Sequence, residues 1–255
     1  MVWLENLKGL SLGKPDIKEL VRQGYMVIDM HVHTQVSDGC SPAQSILERA
    51  KELGIGVAIS DHNKIKSAIN CFDNDYGVTV IPSIEVTAES GEHLLYYFET
   101  KDALKKFHTN EIKGRVRERS VNDLLKLRDK YKCLVSWAHP AGWNFFHRRR
   151  KITIDLKKID CLEIINGHAA LWNVKQTARW AQRHNNSYTG GSDVHEISQL
   201  GRVVTCAKAK TIPEFLDKVK KKQVKIIGER VDIFRFMLKY PFKIAIAKMN
   251  YFIRF

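Results

Sequence analysis

The chain has 255 residues, 44% hydrophobic and 27% charged, which excludes a disordered polymer and suits one large α/β domain, with two small domains as the other possibility. Lys and Arg exceed Asp and Glu by 42 − 28 = 14; this balance favours acidic partners such as nucleotides, nucleic acids or anionic lipid surfaces, although a basic soluble protein shows it too. The five cysteines, Cys40, Cys71, Cys133, Cys161 and Cys206, are scattered and nowhere spaced as Cys-x-x-Cys, so thiols packed in a reducing cytoplasm are expected. The N-terminus lacks the basic start and apolar run of a signal peptide, and no uncharged apolar stretch nears the ~18 residues of a membrane-spanning helix.

Residues 1–24 read as an amphipathic lead-in, and Tyr25 to Met30 as a short buried strand that opens into the polar loop His31-Val-His-Thr-Gln-Val-Ser-Asp-Gly39. Ser41-Pro42 starts a helix whose apolar face is Ile46, Leu47, Ala50 and Leu53, ending at Gly54. Ile55 to Ser60 is a second strand leading to Asp61-His62-Asn63, and a helical segment with Ile65 and Ile69 precedes a third strand, Val78 to Ile84, that delivers Glu85. His93 to Phe98 is a further strand, residues 101–130 are helical in pattern, and Cys133 to Trp137 is a strand stopped at Ala138-His139-Pro140, since proline cannot continue a ladder. A connection with Trp143, Phe145 and the run His147-Arg-Arg-Arg-Lys151 leads to a strand at Ile159 to Ile165 and a helix at Ala169 to His184. Ser187 to Gly191 then forms a strand that ends in Ser192-Asp193-Val194-His195, followed by a strand at Arg202 to Ala207 and a helix at Pro213 to Lys221. Strand and helix alternate throughout, which argues for a mostly parallel α/β arrangement.

Residues two apart on an extended chain project to one side, so His31 and His33 can present two imidazoles to one point. Alone such a pair is more often solvated or structural than ligating. The wider pattern changes that balance, because five strand ends carry metal-competent residues: His31, His33 and Asp38; His62; Glu85 with nearby His93; His139; and Asp193 with His195. In a parallel barrel such ends converge on one rim. Imidazole and carboxylate suit Zn, Mn and Fe, and a carboxylate such as Glu85 can bridge two ions that clamp the oxygens of a phosphoryl transfer.

In this order, His31-x-His33, Asp38, Asp61-His62, Glu85, His93, His139-Pro140 and Asp193-x-His195 resemble the PHP (polymerase and histidinol phosphatase) family of metal-dependent phosphoesterases over roughly residues 25 to 225. The resemblance implies a distorted (β/α)7 barrel and a trinuclear site. His31, His33, Glu85 and Asp193 would hold one ion; Glu85, His93 and His139 a second; Asp38, His62 and His195 the third. Some branches of the family have His at the position of Asp38, and either residue can ligate. The expected cofactors are two or three divalent transition metals, and the expected reaction is attack of an activated water on a phosphoester. Glu85, Asp193, His195 and Arg202 are its expected catalytic residues.

Arg202, and one or more of Arg148, Arg149 and Arg150, are candidate cations for the phosphoryl oxygens, with a solvated loop as the competing reading of the arginine run. His108, His147, His168 and His184 read as surface or core histidines; His168, near a strand end, is the one open to a substrate contact or proton transfer. The expected organisation is a lead-in (1–24), a phosphoesterase domain (25–232) and a basic aromatic tail (233–255). That tail suits docking on the barrel, an anionic membrane contact or nucleic-acid binding. A nucleotide, short oligonucleotide or other small phosphoester is the expected substrate. The competing class is a noncatalytic nucleic-acid or membrane-surface module with structural metals, for which lost ligand positions would be the sign.

Overall fold

The computed structural model describes residues 9–141, 154–168 and 171–229, with backbone only at 171 and 172. Ten strands form one sheet: β1 (Leu10–Leu12), β2 (Met26–Val32), β3 (Gly56–Ile59), β4 (Val80–Thr87), β5 (His93–Tyr97), β6 (Leu134–Trp137), β7 (Cys161–Asn166), β8 (Ser187–Gly191), β9 (Val203–Ala207) and β10 (Val224–Gly228). Their order is β1-β10-β9-β2-β3-β4-β5-β6-β7-β8. Alternation along the strands divides the core. Val57, Ile59, Val80, Leu94 and Tyr96 share one apolar cluster with Ile46, Leu47 and Ala50 of the helix α2 (Ala43–Leu53), whereas their neighbours Ala58, Ile81, Leu95 and Tyr97 join Met30 and Val203 in another. The sheet is curled. Tyr97 on β5 donates its hydroxyl to the Met30 carbonyl on β2 at 2.9 Å, across two intervening strands.

The curl brings β8 back against β2. Val32 and Val194 form a parallel bridge, His33 N–H donates to the Val194 carbonyl at 3.0 Å, and Val194 N–H donates to the His31 carbonyl at 3.2 Å. Gly191 permits this approach, since a Cβ there would lie 2.5 Å from His31 Cβ and 2.6 Å from His31 N. Asp29, buried in β2, accepts from Ser192 N–H at 2.8 Å and Gly201 N–H at 2.9 Å, tying the seam together.

The remaining helices are α1 (Ile17–Arg22), α3 (Lys66–Phe72), α4 (Lys101–Phe107), α5 (Val121–Tyr131), α6 (Leu171–His184) and α7 (Ile212–Lys220). Asp16, Thr100, Ser120 and Thr211 cap α1, α4, α5 and α7 by accepting a first-turn N–H, each cap contributing about 1 kcal/mol. α2 ends at Gly54 in the left-handed conformation (φ 73°), as the sequence leads one to expect.

Several expectations change in detail. The ladder has five parallel pairings and four antiparallel ones, because β5, which follows β4 with no helix between, and β9 each run against both of their neighbours. The result is a mixed α/β half-barrel of ten strands, not seven successive strand–helix units. Part of the lead-in is structured, with β1 paired in parallel to β10, a strand the sequence reading did not anticipate. The helical stretch expected at 101–130 divides into α4, a π-helical turn at His108–Ile112 and α5. Glu85 lies within β4, not beyond its end. Arg148, Arg149, Arg150, Trp143, Phe145 and the tail at 233–255 lie outside the described residues.

Candidate metal centre

All nine donors proposed from the sequence meet on one rim. His31 is the penultimate residue of β2, His33 and Asp38 follow that strand, His62 follows β3, Glu85 lies near the end of β4, His139 follows β6, and Asp193 and His195 follow β8. His93 opens β5, yet it reaches the same rim because β5 is antiparallel to β4 and pairs His93 with Thr87. The β2–β3 register shifts between Asp29 and Val32, and the β7–β8 register between Glu163 and Ile165. Such irregularities re-aim side chains next to functional sites.

At the centre is the Glu85 carboxylate, wholly buried. Its Oε2 lies 3.3 Å from His31 Nε2, 3.2 Å from His33 Nε2 and 3.0 Å from His62 Nδ1, while Oε1 lies 3.1 Å from His93 Nδ1 and 3.4 Å from His139 Nε2. Asp193 Oδ1 faces His33 Nε2 at 3.2 Å and His31 Nε2 at 3.6 Å. On the outer side Asp38 Oδ2 lies 3.1 Å from His195 Nε2 and 3.6 Å from His62 Nε2. Four sets of donors each fall within 4.8 Å of one another: His31, His33 and Glu85; His33, Asp193 and His195; His33, Asp38 and His62; and His62, Glu85 and His93. His33 belongs to three of these sets, so ions held here would be close neighbours sharing donors.

The donor set fits cations. Both Glu85 oxygens, Asp38 Oδ1 and His93 Nδ1 are buried and make no hydrogen bond, a costly state for polar atoms with nothing to compensate it. His31 Nδ1–H donates to Glu163 Oε1 at 2.9 Å, which leaves the Nε2 lone pair pointing at His33 Nε2 only 3.0 Å away. Two donors bound about 2.0–2.1 Å from a tetrahedral ion stand roughly 3.3 Å apart, the spacing seen through this cluster.

Without a cation, the rings and carboxylates of the cluster compensate one another. Burial raises the carboxyls of Glu85, Asp38 and Asp193, but the surrounding imidazoles outweigh it and hold all three well below the ordinary carboxylate range. Burial likewise disfavours charge on His33, yet Asp38, Asp193 and Glu85 overcome it and raise that imidazole to about 10. Burial dominates at His93 and lowers it to about 4, so this ring is neutral with a lone pair to give.

Further residues hold these donors in place; Glu163 and Asn166 drew no notice in the sequence, Asp61 only as the neighbour of His62, and His168 only as a candidate substrate contact or proton donor. Asp61 accepts from Thr34 N–H at 2.8 Å, from the Thr34 hydroxyl and from the Ser37 hydroxyl at 2.7 Å, fixing the loop between His33 and Asp38. The Asp193 carbonyl accepts from His195 Nδ1–H at 2.9 Å and from His168 Nε2–H at 3.0 Å, so His168 stands beside the cluster. Glu163 and Asn166 form a further buried pair beneath it. His139 and Asp193 adopt left-handed φ of 33° and 52°, strain of a kind that persists where surrounding contacts impose it. Arg202 is different. Its N–H donates to the Gln199 carbonyl at 3.2 Å and its carbonyl accepts from Glu229 N–H at 2.9 Å.

A family model for the PHP domain matches residues 29–168, more than half the chain, and a PHP-associated model matches 173–224. The chain belongs to the PHP family. Similar solved structures include a two-domain Bacteroides vulgatus protein containing a predicted PHP-like metal-dependent phosphoesterase, at 18% identity and TM-score 0.64, covering 86% of this chain and 68% of that one. A Bifidobacterium adolescentis protein assigned as a metal-dependent phosphoesterase aligns at 17% identity and TM-score 0.58, over 78% of this chain and 96% of its own. Endonuclease Q in complex with a 27-mer duplex carrying an abasic lesion aligns at 20% identity and TM-score 0.63, over 81% of this chain and 60% of that one. At these identities the likeness is one of fold. No curated protein matches the chain in sequence. None of the described helices is long and apolar enough to cross a membrane.

Proposed function

We propose that this PHP protein hydrolyses phosphoesters with two or three divalent transition-metal ions held by His31, His33, Asp38, His62, Glu85, His93, His139, Asp193 and His195. The observation that carries the reading is the Glu85 carboxylate, whose two buried oxygens lack hydrogen bonds while each faces at least two imidazoles. Bound ions would supply an activated water and neutralise charge on the phosphoryl oxygens. Glu85 bridges the inner donors, Asp193 presents one oxygen to His31 and His33, and Asp38 with His62 and His195 makes the outer side. His195 is oriented by its Nδ1–H bond to the Asp193 carbonyl, which leaves Nε2 for the cluster. The hydroxyls of Thr34 and Ser37 donate to Asp61 and so hold the loop between His33 and Asp38. Arg202 is proposed as a cation for the phosphoryl oxygens from its place after the Asp193/His195 loop alone.

Nucleotides and short oligonucleotides are the first substrates to test. The excess of 14 basic residues favours a polyanion, and endonuclease Q, bound to duplex DNA, has a similar fold. The test is to strip the protein of metal, reload it separately with Mn²⁺, Zn²⁺ and Fe²⁺, and assay phosphomonoesters, nucleotides and oligonucleotides. Two or three equivalents per chain with metal-dependent release of phosphate or cleavage are expected. No bound metal and no gain on reloading would overturn the proposal.

A further inference from the structure

Glu163 lies in the middle of β7, is 2% exposed, and has no counterpart among the nine donors. Its Oε1 accepts from His31 Nδ1–H at 2.9 Å, and its Oε2 accepts from the His139 N–H at 2.8 Å and from Asn166 Nδ2 at 2.9 Å. Asn166 Nδ2 in turn donates to Asp193 Oδ2 at 3.2 Å, and Asn166 Oδ1 accepts from His168 N–H at 2.9 Å. One carboxylate and one amide therefore touch three of the donors, from the ends of β2, β6 and β8. Among the described residues, neither bonds Asp38, His62 or His195.

We infer that Glu163, with Asn166, is a positioning residue for the inner side of the cluster, setting the tautomer of His31, the backbone of His139 and the oxygen that Asp193 turns inward. The inference rests on the metal reading given above. A carboxylate can only accept here, so it holds the His31 proton on Nδ1 and leaves Nε2 free to ligate. The bond to His139 N–H holds that residue at its left-handed φ of 33°. The Asn166 bond occupies Asp193 Oδ2, which leaves Oδ1, the oxygen facing His31 and His33, for a cation.

Glu163→Gln is the informative variant because it keeps the volume and removes one acceptor. If the amide oxygen stays on His139 and Asn166, the amide nitrogen faces His31 and moves its proton to Nε2, towards the cluster. If the oxygen turns to His31, the amide nitrogen opposes two donors. Either outcome disturbs the inner side. Zn²⁺ titration against a competing chelator should show a 10- to 100-fold loss of affinity for the inner equivalents in the variant, with the equivalent at Asp38, His62 and His195 retained. Long-range ¹H–¹⁵N spectra of the Zn²⁺-loaded proteins should show His31 protonated on Nδ1 in the wild type; in the variant that signature is lost where the amide nitrogen faces His31 and kept where the oxygen does, with inner affinity falling in both, a coupling a merely structural role would not produce. Asn166→Ala is the second variant should Glu163→Gln not fold; it removes the Asp193 bond and should weaken the inner equivalents at least threefold. A wild-type protein that binds no Zn²⁺ sinks the metal reading itself. Wild-type binding together with unchanged affinity and unchanged His31 signals in the folded variants would overturn the role of Glu163 and leave that reading standing.

Discussion

The inner and outer donors of the rim are held in different ways. His31 and Glu85 sit on β2 and β4, fully buried, with ladder bonds on the same strands and Gly191 packed against the His31 backbone. Asp38 and His195 sit on loops after β2 and β8 and depend on local bonds, among them Ser37 to Asp61, His195 to the Asp193 carbonyl, and Cys40 N–H to the His195 carbonyl at 2.7 Å. Strand-borne donors take their positions from the whole sheet, so disturbing them disturbs the barrel seam or the centre of charge. Loop-borne donors can be altered with the fold intact.

The largest effect is expected at the centre. Glu85→Gln should lower kcat by more than about 100-fold, or about 2.7 kcal/mol of barrier, because the amide cannot bridge two cations through charged oxygens. Steady-state kinetics on the best substrate would show it, and a loss smaller than tenfold would remove the bridging role. Gly191→Ala should come next, acting on stability. The new methyl would meet His31 Cβ at 2.5 Å and His31 N at 2.6 Å, and overpacking of this kind costs about 1–3 kcal/mol. A lower Tm in metal-free protein is the expected result; an unchanged Tm would mean that the β2–β8 seam opens without cost.

On the outer side, Asp38→Asn should reduce kcat by about tenfold, or about 1.4 kcal/mol, with Tm held within a degree or two of wild type. A Tm loss as large as that of Gly191→Ala would erase the distinction between the two sides. The smallest effect is chemical access. Burial pushes the Cys133 and Cys206 thiols up to about 12 and raises Cys161 further, whereas Cys40 is half-buried on the outer loop. Iodoacetamide at pH 8 should therefore label Cys40 first, with the four buried thiols, Cys71 included, reacting only on unfolding; mass mapping of early labelling at Cys161 or Cys206 would show the barrel to be open.

The sequence by itself carried the candidate donors and most of the elements that present them. Apolar runs ending in His-x-His, Asp-His, Glu, His-Pro and Asp-x-His are local patterns, and the preference of buried β-branched runs for strands places their ends without knowledge of the partners. Helices with clear starts and stops, such as the one closing at Gly54, were legible for the same reason. Tertiary structure decided the rest. That β5 runs antiparallel, and so brings His93 to the rim from its N-terminal end, is a matter of pairing across the chain, which no local period encodes. β1 is a strand because it finds β10, since the three-residue Leu10–Leu12 has too short a pattern to be read alone. Asp61, Glu163 and Asn166 look in sequence like ordinary polar residues near strand ends. Their roles arise only when the curled sheet brings β2, β6, β7 and β8 within hydrogen-bond reach, where a buried carboxylate must find donors and the donors available are the backbone and rings of the cluster.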